Sequence, residues 1–178
     1  MVTYPYFVGL VALFGIERLV ELKLSKAHAA RALSRGGVEF GRGHYPPMVA
    51  LHSAFLLACV IEPWLFGRQF VPQLGWAMLA LALAAQGIRW WAIASLGDRW
   101  NTRVIVVPGT DRKRTGPYQF LNHPNYVAVV LEGFALPLVH NAWVTAIAFT
   151  TLNAFLLWVR VQCENRALSW AEEQRSPS

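Results

Sequence analysis

Gly116, Pro117, Tyr118, His123, Pro124 and Tyr126 fall within one short stretch between two apolar segments, and Glu132 follows inside the second of them. Anchoring in a membrane requires none of these residues. Pro124 suits the first turn of a helix, where its missing N–H has no intrahelical partner, with Asn122 or His123 near the cap. The free N–H groups of such a turn favour a carboxylate or other anion. Gly116 permits close backbone approach by a ligand. Tyr118 and Tyr126 each supply a ring with a polar tip. Together these residues predict a shaped pocket at the mouth of a helix bundle, and therefore a membrane enzyme. Taken singly, each has a plainer reading: a capping histidine, an interfacial turn, a pair of belt tyrosines.

Glu132 lies well inside its apolar segment. An ionisable group at that depth is expensive in lipid and by default marks function. The plainer reading is an internal salt bridge, with Arg89 as partner. Arg160 and Glu164 are spaced i, i+4 at the end of the last apolar segment. They can share one helix face, as active groups or as a local ion pair. Glu17, Arg18 and Glu21 form a similar group at the end of the first segment and read best as boundary ion pairs. Cys59 and Cys163 show neither metal-ligand spacing nor a disulfide framework, so they are expected to be buried structural thiols.

The elements that must position these residues follow from composition. The 178 residues suffice for one domain, 1–178. Hydrophobic residues make up 55% and charged residues 15%, against roughly 25% charged in soluble domains. Eight tryptophans and a mean hydropathy of +0.35 point the same way. Lipid is the expected solvent for most of the surface. Unpaired backbone groups are too costly there for anything but helices or a closed barrel. The reading is an all-α integral membrane protein with five transmembrane helices, at about 4–22, 47–66, 71–96, 125–139 and 142–161. The fourth is short and contains Glu132 and Pro137. The first is read as a retained span, because no basic region precedes Phe7 and no small-residue cleavage site follows.

A net charge of +6 would suggest nucleic acid in a soluble protein. Here the basic residues cluster by loop. Lys23, Lys26, Arg31, Arg35 and Arg42 separate the first two spans, and Arg99, Arg103, Arg112, Lys113 and Arg114 separate the third and fourth. The other two loops contain only Arg68. Topology explains this charge better than nucleic acid does. The positive-inside rule puts the N-terminus outside, and the C-terminus and pocket on the cytoplasmic side. Residues 22–33 read as an amphipathic interfacial helix ended by Gly36, Gly37, Gly41 and Gly43. Residues 103–108 read as a short extended piece, and 164–174 as a polar helical tail.

Gly116-Pro-Tyr118, then Asn122-His-Pro-Asn-Tyr126, then Glu132, then Arg160-x-x-x-Glu164 resemble the isoprenylcysteine carboxyl methyltransferase family. These are integral membrane enzymes that use S-adenosylmethionine (SAM). The resemblance covers the C-terminal half, with a cofactor-binding part at about 99–170. Asn122 stands where that family usually has arginine, and Asn165 where a second glutamate is common. The N-terminal half, from Glu17 and Glu21 through Glu39 to His44, Tyr45 and His52, resembles a bacterial branch. That branch is associated with O-methylation of long-chain polyketides such as alkylpyrones and alkylresorcinols.

The resemblance implies SAM as methyl donor and S-adenosylhomocysteine as product. It implies cofactor binding by Gly116, Pro117, Tyr118, His123, Pro124, Tyr126 and Glu164, and catalytic roles for Arg160 and Glu132. It also implies a lipophilic acceptor entering from the bilayer, contact with membrane lipids, residence in a bacterial inner membrane and a polyketide synthase in the same pathway. A carboxylate acceptor benefits from a cation such as Arg160, whereas a hydroxyl acceptor needs a base such as Glu132 or a histidine. Carboxyl methylation of isoprenylcysteine and N-methylation of a phospholipid head group are the alternatives within the enzyme class. A membrane scaffold or small transporter is the alternative outside it.

Overall fold

The computed structural model describes residues 3–174. It contains five long helices: α1 Tyr4–Ser34, α2 Tyr45–Leu65, α3 Pro72–Leu96, α4 Pro124–Leu138 and α5 Trp143–Glu173. Two short strands, β1 Val38–Phe40 and β2 Val104–Val106, pair antiparallel, with Val38 opposite Val106 and Phe40 opposite Val104. The extended piece expected at 103–108 is β2. Its partner β1 lies among glycines and carries no strand-length pattern of its own.

Among the described residues, three stretches are long and apolar enough to cross a membrane: Arg42–Leu65, Pro72–Arg99 and Trp143–Glu173. Helix α4 is apolar but shorter. Helix α1 fails on charge, and Glu17, Arg18 and Glu21 in its apolar part are turned inward. Proline opens α1, α2, α3 and α4 within the first turn, where it costs no hydrogen bond. Residues 22–33 form no separate interfacial helix. They continue α1, because neither Gly nor Pro occurs between Gly15 and Gly36. For the same reason 164–173 continue α5. At 1.5 Å per residue each of these helices is about 46 Å long, well beyond the ~30 Å of hydrocarbon. Their C-terminal ends project together and pack against β2, forming a polar cap over one end of the bundle.

Helix α4 is the centre of the bundle, packed between α3 and α5. Small buried residues let the three approach closely: Ala82, Ala85 and Ala92 on α3, Ala128 and Ala135 on α4, Ala146 on α5. A Cβ on Gly133 would run into the Phe149 ring of α5. Phe7, Phe14, Phe55, Cys59, Leu136 and Phe149 form the apolar core. Cys59 is buried as expected, but Cys163 is only half-buried; both are free thiols. Leu19, Leu57, Trp64, Ile147, Phe155 and Trp158 point outward, each more than half exposed. Buried charges and exposed apolar side chains are what a lipid solvent selects.

At the end opposite the cap, Glu62 of α2 caps α5. Its Oε2 accepts from the Thr145 amide at 2.6 Å and the Thr145 hydroxyl at 2.7 Å, and its Oε1 from the Val144 amide at 3.2 Å. Helix α5 has no capping side chain of its own, so these otherwise unpaired amides depend on a neighbouring helix.

Candidate active site

Under the cap lies a cavity of about 590 Å³, within the usual size range of small-molecule sites. Three elements bring the predicted residues to it. A 3₁₀ turn at Gly116–Gln119 carries Tyr118, the start of α4 carries His123 and Tyr126, and α5 carries Arg160 and Glu164. His123 is the N-cap residue of α4 and Pro124 its first residue.

Gly116, Pro117 and Pro124 shape the wall without lining it. Gly116 has φ +59°, and the space its Cβ would occupy is filled by Ser95 and by Trp91 of α3. The close approach expected there for a ligand is therefore made by α3. Pro117 and Pro124 are buried.

The remaining residues form one hydrogen-bonded group. Arg160 Nε donates to the Tyr126 hydroxyl at 2.7 Å, and that hydroxyl donates to Glu164 Oε2. The i, i+4 ion pair expected between Arg160 and Glu164 is absent, since the Tyr126 hydroxyl stands between them. The Tyr126 ring stacks on His123 at 5.2 Å between centroids, and the Arg160 guanidinium lies 5.6 Å from its centre. His123 Nε2 is 3.1 Å from Asn165 Oδ1, and Nδ1 is 3.7 Å from Glu164. Burial pushes the Tyr118 phenol up, and the Glu164 carboxylate adds to the shift, so Tyr118 stays neutral.

Two features of this group lack a partner. Arg160 is 5% exposed, yet it has no carboxylate within ion-pair distance among the described residues. Its Nη1 meets only the Met48 sulfur, at 3.7 Å. A buried cation so placed favours an anionic group in the cavity. Asn125, also in the cavity wall, leaves a buried Oδ1 without a hydrogen-bond partner.

Glu132 stands apart from this cavity. Its Oε2 lies 2.5 Å from Arg89 Nη2 and 3.1 Å from Arg18 Nη2, so the salt bridge to Arg89 is formed. Arg18 Nη1 reaches Glu21 at 2.6 Å, Arg89 Nε lies 3.7 Å from Glu21, and Gln86 ties Arg18 to Glu17. Glu17, Arg18 and Glu21 are thus joined to α3 and α4 rather than forming a boundary set.

Sequence reasoning counted Glu39 in the N-terminal resemblance but gave it no role. Arg103 donates Nε to Glu39 Oε1 at 2.6 Å and Nη2 to Oε2, while Arg42 Nε reaches Oε2 at 3.0 Å. This clamps β1 to β2 beside the cavity. Burial works against the charged carboxyl, but hydrogen bonds and charge from Arg103, aided by Arg42, hold Glu39 below its ordinary range. A depressed folded pKa contributes stability above the unfolded value and loses it as pH falls through the folded value. The wild type should therefore lose melting temperature below about pH 4 through a component that Glu39→Gln lacks. Melting curves of both proteins across that range test this. Parallel pH profiles would show that the clamp contributes no such term.

Residues 78–170, just over half the chain, match the family described as Isoprenylcysteine carboxyl methyltransferase (ICMT) family. The matched region contains the whole hydrogen-bonded group around Tyr126 and begins within α3. An uncharacterized protein of Bacillus subtilis, YpbQ, is 38% identical over 160 residues, covering 89% of this chain and 94% of that protein. An uncharacterized protein of Haemophilus influenzae is 26% identical over 155 residues, covering 85% and 88%. No solved structure matches.

Proposed function

The chain belongs to the isoprenylcysteine carboxyl methyltransferase family, and from that premise we propose that it transfers a methyl group from SAM to an oxygen of a lipophilic acceptor. Membership supports a membrane methyltransferase. The donor, the oxygen and the acceptor are our reading, and so is the crossing of the bilayer by all five helices. The observation that carries it is Arg160, buried in the cavity wall and lacking an acidic partner among the described residues.

SAM supplies a methyl group already activated on sulfur, so the protein has mainly to align donor and acceptor. Glu164 accepts hydrogen bonds from the cofactor's amine or ribose hydroxyls, and Asn125 Oδ1 adds an acceptor. His123 and the free amides at the start of α4 face its carboxylate or purine, and Tyr118 packs against it. Gly116, Pro117 and Pro124 hold these groups in place. Arg160 attracts the negative charge of the acceptor oxygen, oriented by its bond to Tyr126. Glu132 keeps α4 docked on α1 and α3.

The basic loops put the cavity on the cytoplasmic side and the N-terminus outside, in a bacterial inner membrane. SAM enters from the cytoplasm, S-adenosylhomocysteine leaves there, and the acceptor arrives from the bilayer. A long-chain polyketide, supplied by a polyketide synthase of the same pathway, is the first choice of acceptor. Isoprenylcysteine is the second, favoured by the match between Arg160 and a carboxylate.

The test is methyl transfer from labelled SAM by the purified protein in detergent, with an alkylresorcinol and a farnesylcysteine analogue offered in parallel. Label in the alkylresorcinol supports the first acceptor, and label in the farnesyl compound the second. Failure to bind SAM would favour a scaffold or transporter. His123→Ala and Glu164→Ala should each weaken SAM binding about tenfold, as loss of one charge-assisted hydrogen bond does, with membrane insertion kept. Unchanged affinity in both would move the cofactor site elsewhere.

A further inference from the structure

We propose that the rim of the cavity binds the phosphate of an anionic membrane phospholipid. The cationic residues around the cavity are unequally balanced. Arg35, Arg103 and Arg112 each have a carboxylate: Asp98 at 2.8 Å, Glu39 in the clamp, and Glu172 at 3.2 Å. Arg99, Lys113 and Arg114 line the same cavity and have no carboxylate within ion-pair distance among the described residues. Arg99 donates Nη1 to the main-chain oxygen of Asp111 at 2.9 Å. All three are exposed. SAM does not balance them, because it carries more positive than negative charge.

Apolar residues continue the same edge. Phe120 is 77% exposed and Leu121 42%, just beyond the basic loop and directly before the cavity-lining Asn122. A soluble anion would satisfy the cations and leave Phe120 and Leu121 bare. A phospholipid satisfies both, with its phosphate among the cations and an acyl chain along the two apolar side chains. The site is on the rim, so it does not depend on methyl transfer.

The test is titration of the purified full chain in detergent with short-chain phosphatidylglycerol, phosphatidylcholine and inorganic phosphate. The readout is tryptophan fluorescence, since Trp100 lies in the cavity wall. Phosphatidylglycerol should give a saturable change and bind more tightly than phosphatidylcholine. Each basic residue facing an anionic head group contributes roughly fivefold, so R99Q/K113Q/R114Q should weaken phosphatidylglycerol by roughly a hundredfold. K23Q/K26Q/R31Q removes as many exposed charges from α1 and should leave that affinity nearly unchanged. Equal losses in the two triple variants would overturn a localised site in favour of diffuse charge. Inorganic phosphate as effective as phosphatidylglycerol would overturn the lipid assignment. The methyltransferase reading rests on SAM binding, which is measured separately and can fail independently.

Discussion

Arg160→Met lowers kcat/KM for methyl transfer by on the order of 10²- to 10³-fold, the usual cost of removing one charge-stabilising donor from a preorganised site. Arg160 is buried and its Nε is committed to Tyr126. The remaining guanidinium nitrogens meet only a thioether, which leaves them for a group in the cavity that Arg160 lines. Methionine keeps most of the volume and removes the charge, so the five helices should form as before. Arg160→Lys should recover little, because an ammonium cannot reproduce a planar fork that holds Tyr126 and lines the cavity at once. Tyr126→Phe should cost less than Arg160→Met, since the cation remains while its orientation relaxes. Kinetics at saturating SAM, with cofactor affinity measured separately, decide the matter. A loss of SAM affinity with unchanged turnover would mean that Arg160 serves the cofactor. No change in either would reduce it to a packing residue.

The parts of this arrangement visible in the sequence were those written in local terms. Proline at first turns, the apolar runs and the Gly116–Tyr126 stretch each state their structure within a few residues. Pro124 as the first residue of α4 follows from the missing N–H alone, and of the two caps the sequence allowed, Asn122 and His123, the structure has His123. What was not visible depends on which helix stands beside which. Glu62 is an ionisable group inside an apolar segment, and that signal was available. Its role was not, because the amides it caps belong to α5, far along the chain. Gly116 read as a place for a ligand, since a glycine says only that space is needed; Ser95 and Trp91 fill it. Arg160 and Glu164 have the spacing of an ion pair, but a tyrosine hydroxyl from α4 takes the position between them. The break expected after Leu22 came from charge composition, and charge does not end a helix where no Gly or Pro occurs, as between Gly15 and Gly36.

Arg89→Met should destabilise the protein by about 3–5 kcal/mol, the typical cost of removing one partner from a buried ion pair. The side chains of Arg89, Glu21 and Glu132 are only 5%, 5% and 8% exposed. In the wild type, Glu17, Glu21 and Glu132 face Arg18 and Arg89, one acidic group in excess. Losing Arg89 leaves three carboxylates around one guanidinium, two of them, on Glu21 and Glu132, nearly fully buried. The double variant R89M/E132M restores the original excess of one and replaces the pair with apolar volume, so it should recover most of the loss. Glu132→Gln removes the excess carboxylate, keeps a hydrogen-bond acceptor for Arg89, and should cost far less than Arg89→Met. This asymmetry is what a net charge imbalance requires. If each group merely contributed its own contacts, the two single variants would cost about the same. Thermal unfolding in detergent of all three variants reads the difference directly. Glu132→Gln then also separates structure from chemistry. If it melts like the wild type but no longer transfers methyl groups to a hydroxyl acceptor, Glu132 is the base despite its distance from the cavity. If stability and transfer both persist, Glu132 holds α4 against α1 and α3, and the proton leaves by another route.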